Sequence, residues 1–211
     1  MSKSKDLSLF TAAGVPANVE AVQNRITKFK RATQSDNVQY LKIGQEGKPT
    51  EGLITFGAEG VEVEPASEWG VNIMGVSWGY LLRDGAQVDD EMWVPWCEDL
   101  PEPDQSKARG EKKWRRAIKA QMVCTTGEDA GVVVEFGGDT LGHQKFYREL
   151  LDAYQAQLAE NDGPEKSIPV ITLTKGGYYN AKQKKQIYEI VPTIVGWVSN
   201  EGLVNLVNSG A

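Results

Sequence analysis

Two stretches of this 211-residue chain combine side chains that neutralise phosphate with side chains that stack on bases. Between residues 107 and 119 stand seven basic residues, Lys107, Arg109, Lys112, Lys113, Arg115, Arg116 and Lys119, against the single acid Glu111, with Trp114 among them. A second stretch, Lys175-Gly-Gly-Tyr178-Tyr179-Asn-Ala-Lys182-Gln-Lys184-Lys185, contains no acid. Lysine and arginine displace counterions from a polyphosphate, and aromatic faces stack on unpaired bases for about 1–3 kcal/mol per base. Two adjacent tyrosines in a glycine-led hairpin are hard to bury together, so at least one is expected to offer a stacking face. Trp93 and Trp96, in the cluster Met92-Trp-Val-Pro-Trp-Cys97, are candidates for either stacking or packing. Trp78 and Tyr80 lie on an apolar strand face and Trp197 sits near Ile194 and Val198, which favours packing for all three.

The formal net charge of −6 argues against a polyanionic partner, but the charge is unevenly spread. Residues 84–104 hold eight acids (Asp84, Asp89, Asp90, Glu91, Glu98, Asp99, Glu102, Asp104) and no base. With a Debye length of about 8 Å at physiological salt, a bound polyanion responds to the local patch more than to the distant net charge. The plainer alternative is two solvated charge runs on ordinary loops. The acidic run has two readings: an internal competitor resting on the basic segment, or a solubilising loop. The second is the simpler expectation.

Other chemistry has little to work with. The only histidine, His143, lies near a helix start in TLGHQKFY and reads as a surface or capping residue. No Ser-His-Asp, Cys-His or histidine-rich metal site can be assembled around it alone. Cys97 and Cys124 are too few for a disulfide framework and match no zinc spacing, so they read as reduced, partly buried thiols. No GxxxxGK[ST] loop occurs, and Phe136-Gly-Gly-Asp-Thr-Leu-Gly lacks both its spacing and its lysine. Pro103-Asp104…Lys107 and Glu111-Lys112 weakly resemble a metal-dependent nuclease motif, but they fall in a polar loop rather than on a strand pair. No apolar run approaches the roughly 18–20 residues that cross a bilayer, and no apolar segment follows the N-terminal lysines as a signal peptide requires. The expectation is a cytoplasmic protein without enzyme activity, cofactor, metal or membrane partner.

The elements that must position these residues can be read from periodicity. Val19, Val22, Ile26 and Phe29 predict an amphipathic helix over 16–34. Short strands follow at 40–43, 53–56 and 61–64, punctuated by Gly44, Gly47, Gly57 and Gly60, forming an extra hairpin region. The alternation of Met74, Val76, Trp78, Tyr80 and Leu82 predicts a strand over 72–83, and Arg83 ends it. A long loop over 84–113 comes next. Further strands are expected at 114–124 and 132–136. A helix over 141–160 carries the stripe Phe146, Leu150, Tyr154 and Leu158. A strand at 168–174, a loop carrying GGYYNAKQKK, and a last strand at 186–199 bent at Pro192 complete the order, before a loose tail over 200–211.

From residue 72 onward this order is that of an OB-fold: a mainly β (α+β) chain forming a five-stranded barrel with a helix between strands 3 and 4. The N-terminal segment over 1–37 and the binding domain over 38–199 follow from the same division. In such a barrel the ligand crosses strands 2 and 3 between the loops joining strands 1–2 and 4–5, and those loops hold or adjoin the two basic stretches. YLKIGQEG, GYLLRDG and KGGYYNAKQKKQIYEIVPTIVGWV together resemble phage-encoded single-stranded DNA-binding proteins over most of residues 38–199. The resemblance implies sequence-tolerant coating of single strands during phage replication or recombination, with phage replication or recombination proteins as further partners. Carried over by position, it points to Arg83, 112–119 and 175–185. An acidic recruiting tail, common in such proteins, is not matched: Glu201 is the only acid in the last eleven residues. The rival classes are a phage structural or adaptor protein and the nuclease already described.

Overall fold

Glycine-punctuated runs of β-branched and aromatic residues become strands here, as their propensity dictates. The computed structural model describes residues 39–161 and 163–209, which contain ten strands and two α-helices. The helix expected over 16–34 lies outside the described residues.

A three-stranded sheet comprises β1 (Leu41–Ile43), β2 (Ile54–Phe56) and β3 (Val61–Glu62). The main sheet has seven antiparallel strands. They are β4 (Glu68–Val71), β5 (Ser77–Asp84), β6 (Gln87–Pro95), β7 (Lys113–Cys124), β8 (Val133–Gly138), β9 (Ile168–Asn180) and β10 (Lys185–Val198). The helices are α1 (Leu141–Leu158) and α2 (Asn200–Ser209).

The long strand β7 organises the sheet. Its one edge carries β4 and then β5, in register from Trp69↔Cys124 and Val71↔Met122 to Ser77↔Lys119 and Arg83↔Lys113. A 3-10 turn over Ile73–Gly75, capped by the Asn72 side chain, separates β4 from β5. The other edge of β7 pairs with β8. Outside β4 lies β9, which forms a hairpin with β10, and outside β5 lies β6.

The expected five-stranded barrel does not form, because the sheet does not close. β8 and β10 do not pair; the chain around β1 stands between them. Tyr40 bridges to Glu135 of β8, and the Gln45 amide caps the β10 edge by accepting from Tyr188 N (3.1 Å) and donating to Tyr188 O (3.0 Å). Helix placement differs as well. α1 follows the eighth strand of the described residues, and a second helix ends them.

One core ties these layers together. α1 inserts Phe146, Tyr147, Leu150 and Tyr154 against Trp69, Met122, Val134, Phe136 and Ile171. Each large side chain of this kind contributes about 1.5–3 kcal/mol when fully buried. Leu158, expected in the stripe, is 40% exposed because the helix ends there. Trp197 packs with Tyr154 (ring centroids 6.3 Å apart), Tyr80 is buried and Trp78 half-buried, as their strand settings predict.

Four boundaries are corrected. Residues 84–113 are not one long loop, because Gly85 (φ 57°) makes a tight turn that returns β6 along β5. The 72–83 strand begins only at Ser77, and Met74 sits exposed in the 3-10 turn. The presumed GGYYNAKQKK loop is largely strand: β9 and β10 pair out to Asn180↔Lys185, and their irregularity falls between Ile194 and Gly196 rather than at Pro192. Finally, residues 200–209 are not loose. Leu203 and Val207 of α2 are buried against Val123 and Ile168.

Candidate nucleic-acid interface

Alternation along β7 divides its side chains between two faces. Ala120, Met122 and Cys124 enter the core with Val134 and Phe136. Lys113, Arg115, Ala117, Lys119 and Gln121 therefore point outward. Cross-strand register adds Arg83, Leu81 and Gly79 from β5, Trp93 and Glu91 from β6, and Glu135 from β8 to this outward face. Gly79 is required there: a Cβ would stand 1.8 Å from the Met92 carbonyl oxygen.

Most cations of the first basic stretch, on either face, already hold a carboxylate, as does Arg83. Arg83 donates to both Asp139 oxygens (Nε 3.2 Å, Nη2 3.0 Å), and Arg115 reaches the same carboxylate at 3.8 Å. Lys119 pairs with Glu135 at 3.4 Å, while its ammonium lies 4.5 Å from the centroid of the Trp93 ring. Lys107 pairs with Asp90 at 2.6 Å, and Lys112 pairs with Asp89. Those hydrogen bonds hold the Lys107 and Lys112 ammonium groups above their ordinary pKa, and that from Lys107 holds Asp90 below its own. Lys113 and Arg116 are exposed and form no ion pair among the described residues.

The tryptophans separate. Trp93 lies on the cationic outward face, half-buried, with an indole N–H that finds no acceptor among the described residues. Trp96 packs against the main core and does not join the surface, a correction to the stacking option. Trp114 shares the opposite face of β7 with Arg116, and its indole donates to the Asp104 carbonyl (2.9 Å), which fixes the loop before β7.

The second cationic stretch is the outer half of the β9–β10 ribbon. Tyr178 and Tyr179 are 44% and 63% exposed. Register sets Tyr178 opposite Ile187 and Tyr179 opposite Gln186, so the two rings occupy opposite faces. Asn180 Oδ1 accepts from the Lys182 and Gln183 amides, and Lys184 adopts φ 52°, closing a turn that exposes Lys182, Lys184 and Lys185. Lys175 instead lies 5.5 Å from the Tyr188 ring centroid and close to Gly52.

The two stretches do not converge. β9 leaves β4 at Glu68↔Thr172 and runs past the Cys124 end of β7, whereas Lys113 lies at the other end, opposite Arg83. Between them α2 covers the outward face at Val123 and Val133, and Leu203 lies against Gly70. Sequence reasoning found the cations of both stretches but missed the carboxylates, Asp139 and Glu135, that hold Arg83, Arg115 and Lys119. They lie far off in the chain, and only strand register brings them in.

Thr140 caps α1 by accepting from the His143 amide, and His143 itself is not a plain surface residue. Thr140 Oγ1 lies 2.7 Å from its Nδ1, and its ring packs on Phe136 at 4.8 Å. Burial lowers its pKa to about 4, against the opposing pull of Asp139. Both cysteines are free; Cys97 is exposed rather than partly buried, and burial raises the Cys124 thiol to about 11. Among the described residues there is no cluster of His, Cys, Asp or Glu that could hold a metal ion, and no helix long and apolar enough to cross a membrane.

No protein-family model matches this chain, and no curated protein or solved structure matches it significantly.

Proposed function

We propose that this protein binds single-stranded DNA without strong sequence preference, by phosphate neutralisation and base stacking, and takes no catalytic part. One observation carries the reading: an extended ribbon exposes two adjacent tyrosines beside Lys182, Lys184 and Lys185, none of which is neutralised by a carboxylate among the described residues. Ring faces and unpaired ammonium groups on one projecting element are the two components that unpaired nucleic acid requires. Lys113, Arg115, Lys119 and Trp93 on the outward face of β7 form a second contact region, so a bound strand meets two separate regions rather than one trough. The side-by-side order β10-β9-β4-β7-β8, with α1 linking β8 to β9, supports an open relative of the OB arrangement. Coating of single strands in phage replication or recombination is the role that the sequence resemblance adds.

The rival reading, a structural or adaptor protein, draws on the carboxylates that hold four of the seven cations between Lys107 and Lys119. Binding of a labelled oligo-dT, followed across a salt series, separates the two. Affinity that falls steeply with salt supports strand binding, and absence of binding at low salt supports the rival.

A further inference from the structure

The sequence places its densest acidic run directly before its densest basic run, and the fold joins them. β6 lies along β5 as the edge strand, and a register shift between Leu82↔Asp90 and Arg83↔Val88 leaves Asp89 as an extra residue. Such a bulge redirects a side chain. Here Asp89 turns to Lys112, and the neighbouring Asp90 takes Lys107 at 2.6 Å. The loop presenting the lysines is itself held. Trp114 bonds the Asp104 carbonyl, Asp104 caps the 3-10 turn Gln105–Lys107, and Arg109 donates to the Ser106 carbonyl at 2.8 Å. Leu82, Asp89, Asp90, Asp104, Lys107 and Lys112 thus line one open groove. Other acids of the same run, Glu98, Asp99 and Glu102, are exposed and make no ion pair among the described residues. The pairing is therefore selective rather than a general consequence of charge density.

We propose that Asp89 and Asp90 of β6 are intramolecular stand-ins for nucleic-acid phosphate, occupying Lys112 and Lys107 until a strand displaces them. This rests on the single-strand-binding reading above. The arrangement suits exchange rather than permanent closure. Both lysines are partly exposed (side chains 38% and 52%), and the contacts that hold their loop do not involve either ammonium group. An exposed pair of this kind changes an equilibrium by up to about fivefold. The exchange also damps salt dependence. Each phosphate bound to a single strand releases about 0.7 of a counterion, but each freed carboxylate takes up a cation in return.

The test compares three full-length proteins for oligo-dT binding across a salt series: the natural sequence, D89N/D90N and the charge-matched control E98Q/D99N. D89N/D90N should bind about three- to twentyfold more tightly at low salt, with a log–log salt slope steeper by about 1.4. E98Q/D99N should shift affinity by less than about twofold, because it removes the same charge from unpaired positions. If the natural protein binds with salt-sensitive affinity and D89N/D90N gains no more than the control, the competitor role is overturned while strand binding stands. If the natural protein shows no binding at any salt, the underlying reading fails and takes the competitor role with it. Should the double variant lose its far-ultraviolet circular dichroism, D89N and D90N singly carry the comparison, each with part of the gain.

Discussion

Truncating Tyr179 to alanine should weaken single-strand binding far more than truncating Tyr178. The two rings are adjacent in sequence but project from opposite faces of the β9–β10 ribbon, so a strand running along one face reaches only one of them. Tyr179 is the more exposed, 63% against 44%. Alternation also places it on the face of Lys175, opposite Gln186 rather than the apolar Ile187. Loss of one stacked base costs about 1–3 kcal/mol, so Tyr179→Ala should raise Kd by about 5- to 150-fold. Tyr178→Ala should raise it by less than about threefold. Neither change should alter the fold, since exposed substitutions away from packed or capped sites shift stability by about 0.5 kcal/mol or less. Fluorescence anisotropy of a labelled oligo-dT at fixed salt, with urea midpoints measured in parallel, gives both readouts. A larger effect from Tyr178 would refute the choice of face, and unchanged binding in the double variant would remove the ribbon from the interface.

Two further outcomes concern the scaffold. Burial favours neutral His143 in the folded state, with a pKa of about 4 against an ordinary 6.5. Between those values the unfolded chain binds the extra proton, so this contribution is present above pH 6.5 and is lost as pH falls towards 4. From pH 7.5 to 4.5 the loss is about 2.5 kcal/mol, and His143→Gln should show a correspondingly smaller drop in unfolding free energy, with parallel pH profiles for the two proteins as the contrary result. Leu203→Ala should destabilise the protein by about 2–5 kcal/mol in urea unfolding, because Leu203 is fully buried; a change below about 0.5 kcal/mol would mean that α2 is not docked.

The elements with strong periodicity were legible in the sequence: α1 with its Phe146, Leu150 and Tyr154 stripe, the alternating β7, and the inner halves of β9 and β10, whereas the tyrosine pair itself read as loop. The β6 hairpin was missed although its signal was present. Asp84-Gly85 is a two-residue turn signature, and Val88, Asp90, Met92 and Val94 alternate after it, but the acid content of the run masked the strand. The α2 helix was missed because its apolar residues make one buried contact patch rather than a long stripe. Leu203 and Val207, four residues apart, are all it needs to cover Val123 and Ile168. Which cations would be neutralised could not be read from the chain, because Asp139 meets Arg83 and Arg115 only through tertiary packing and strand register. The assumption that both basic stretches flank one trough failed for the same reason. Proximity to loops says nothing about which end of β7 a loop occupies.

The most direct test of strand binding is the salt dependence of oligo-dT affinity. The three ribbon lysines without a carboxylate partner among the described residues, Lys182, Lys184 and Lys185, together with Lys113 on β7, set Z at about 4, for a slope of log K against log salt near −3. Mutating those four lysines to glutamine should flatten it. A slope near zero in the natural protein, or one unmoved by the fourfold substitution, would contradict the account.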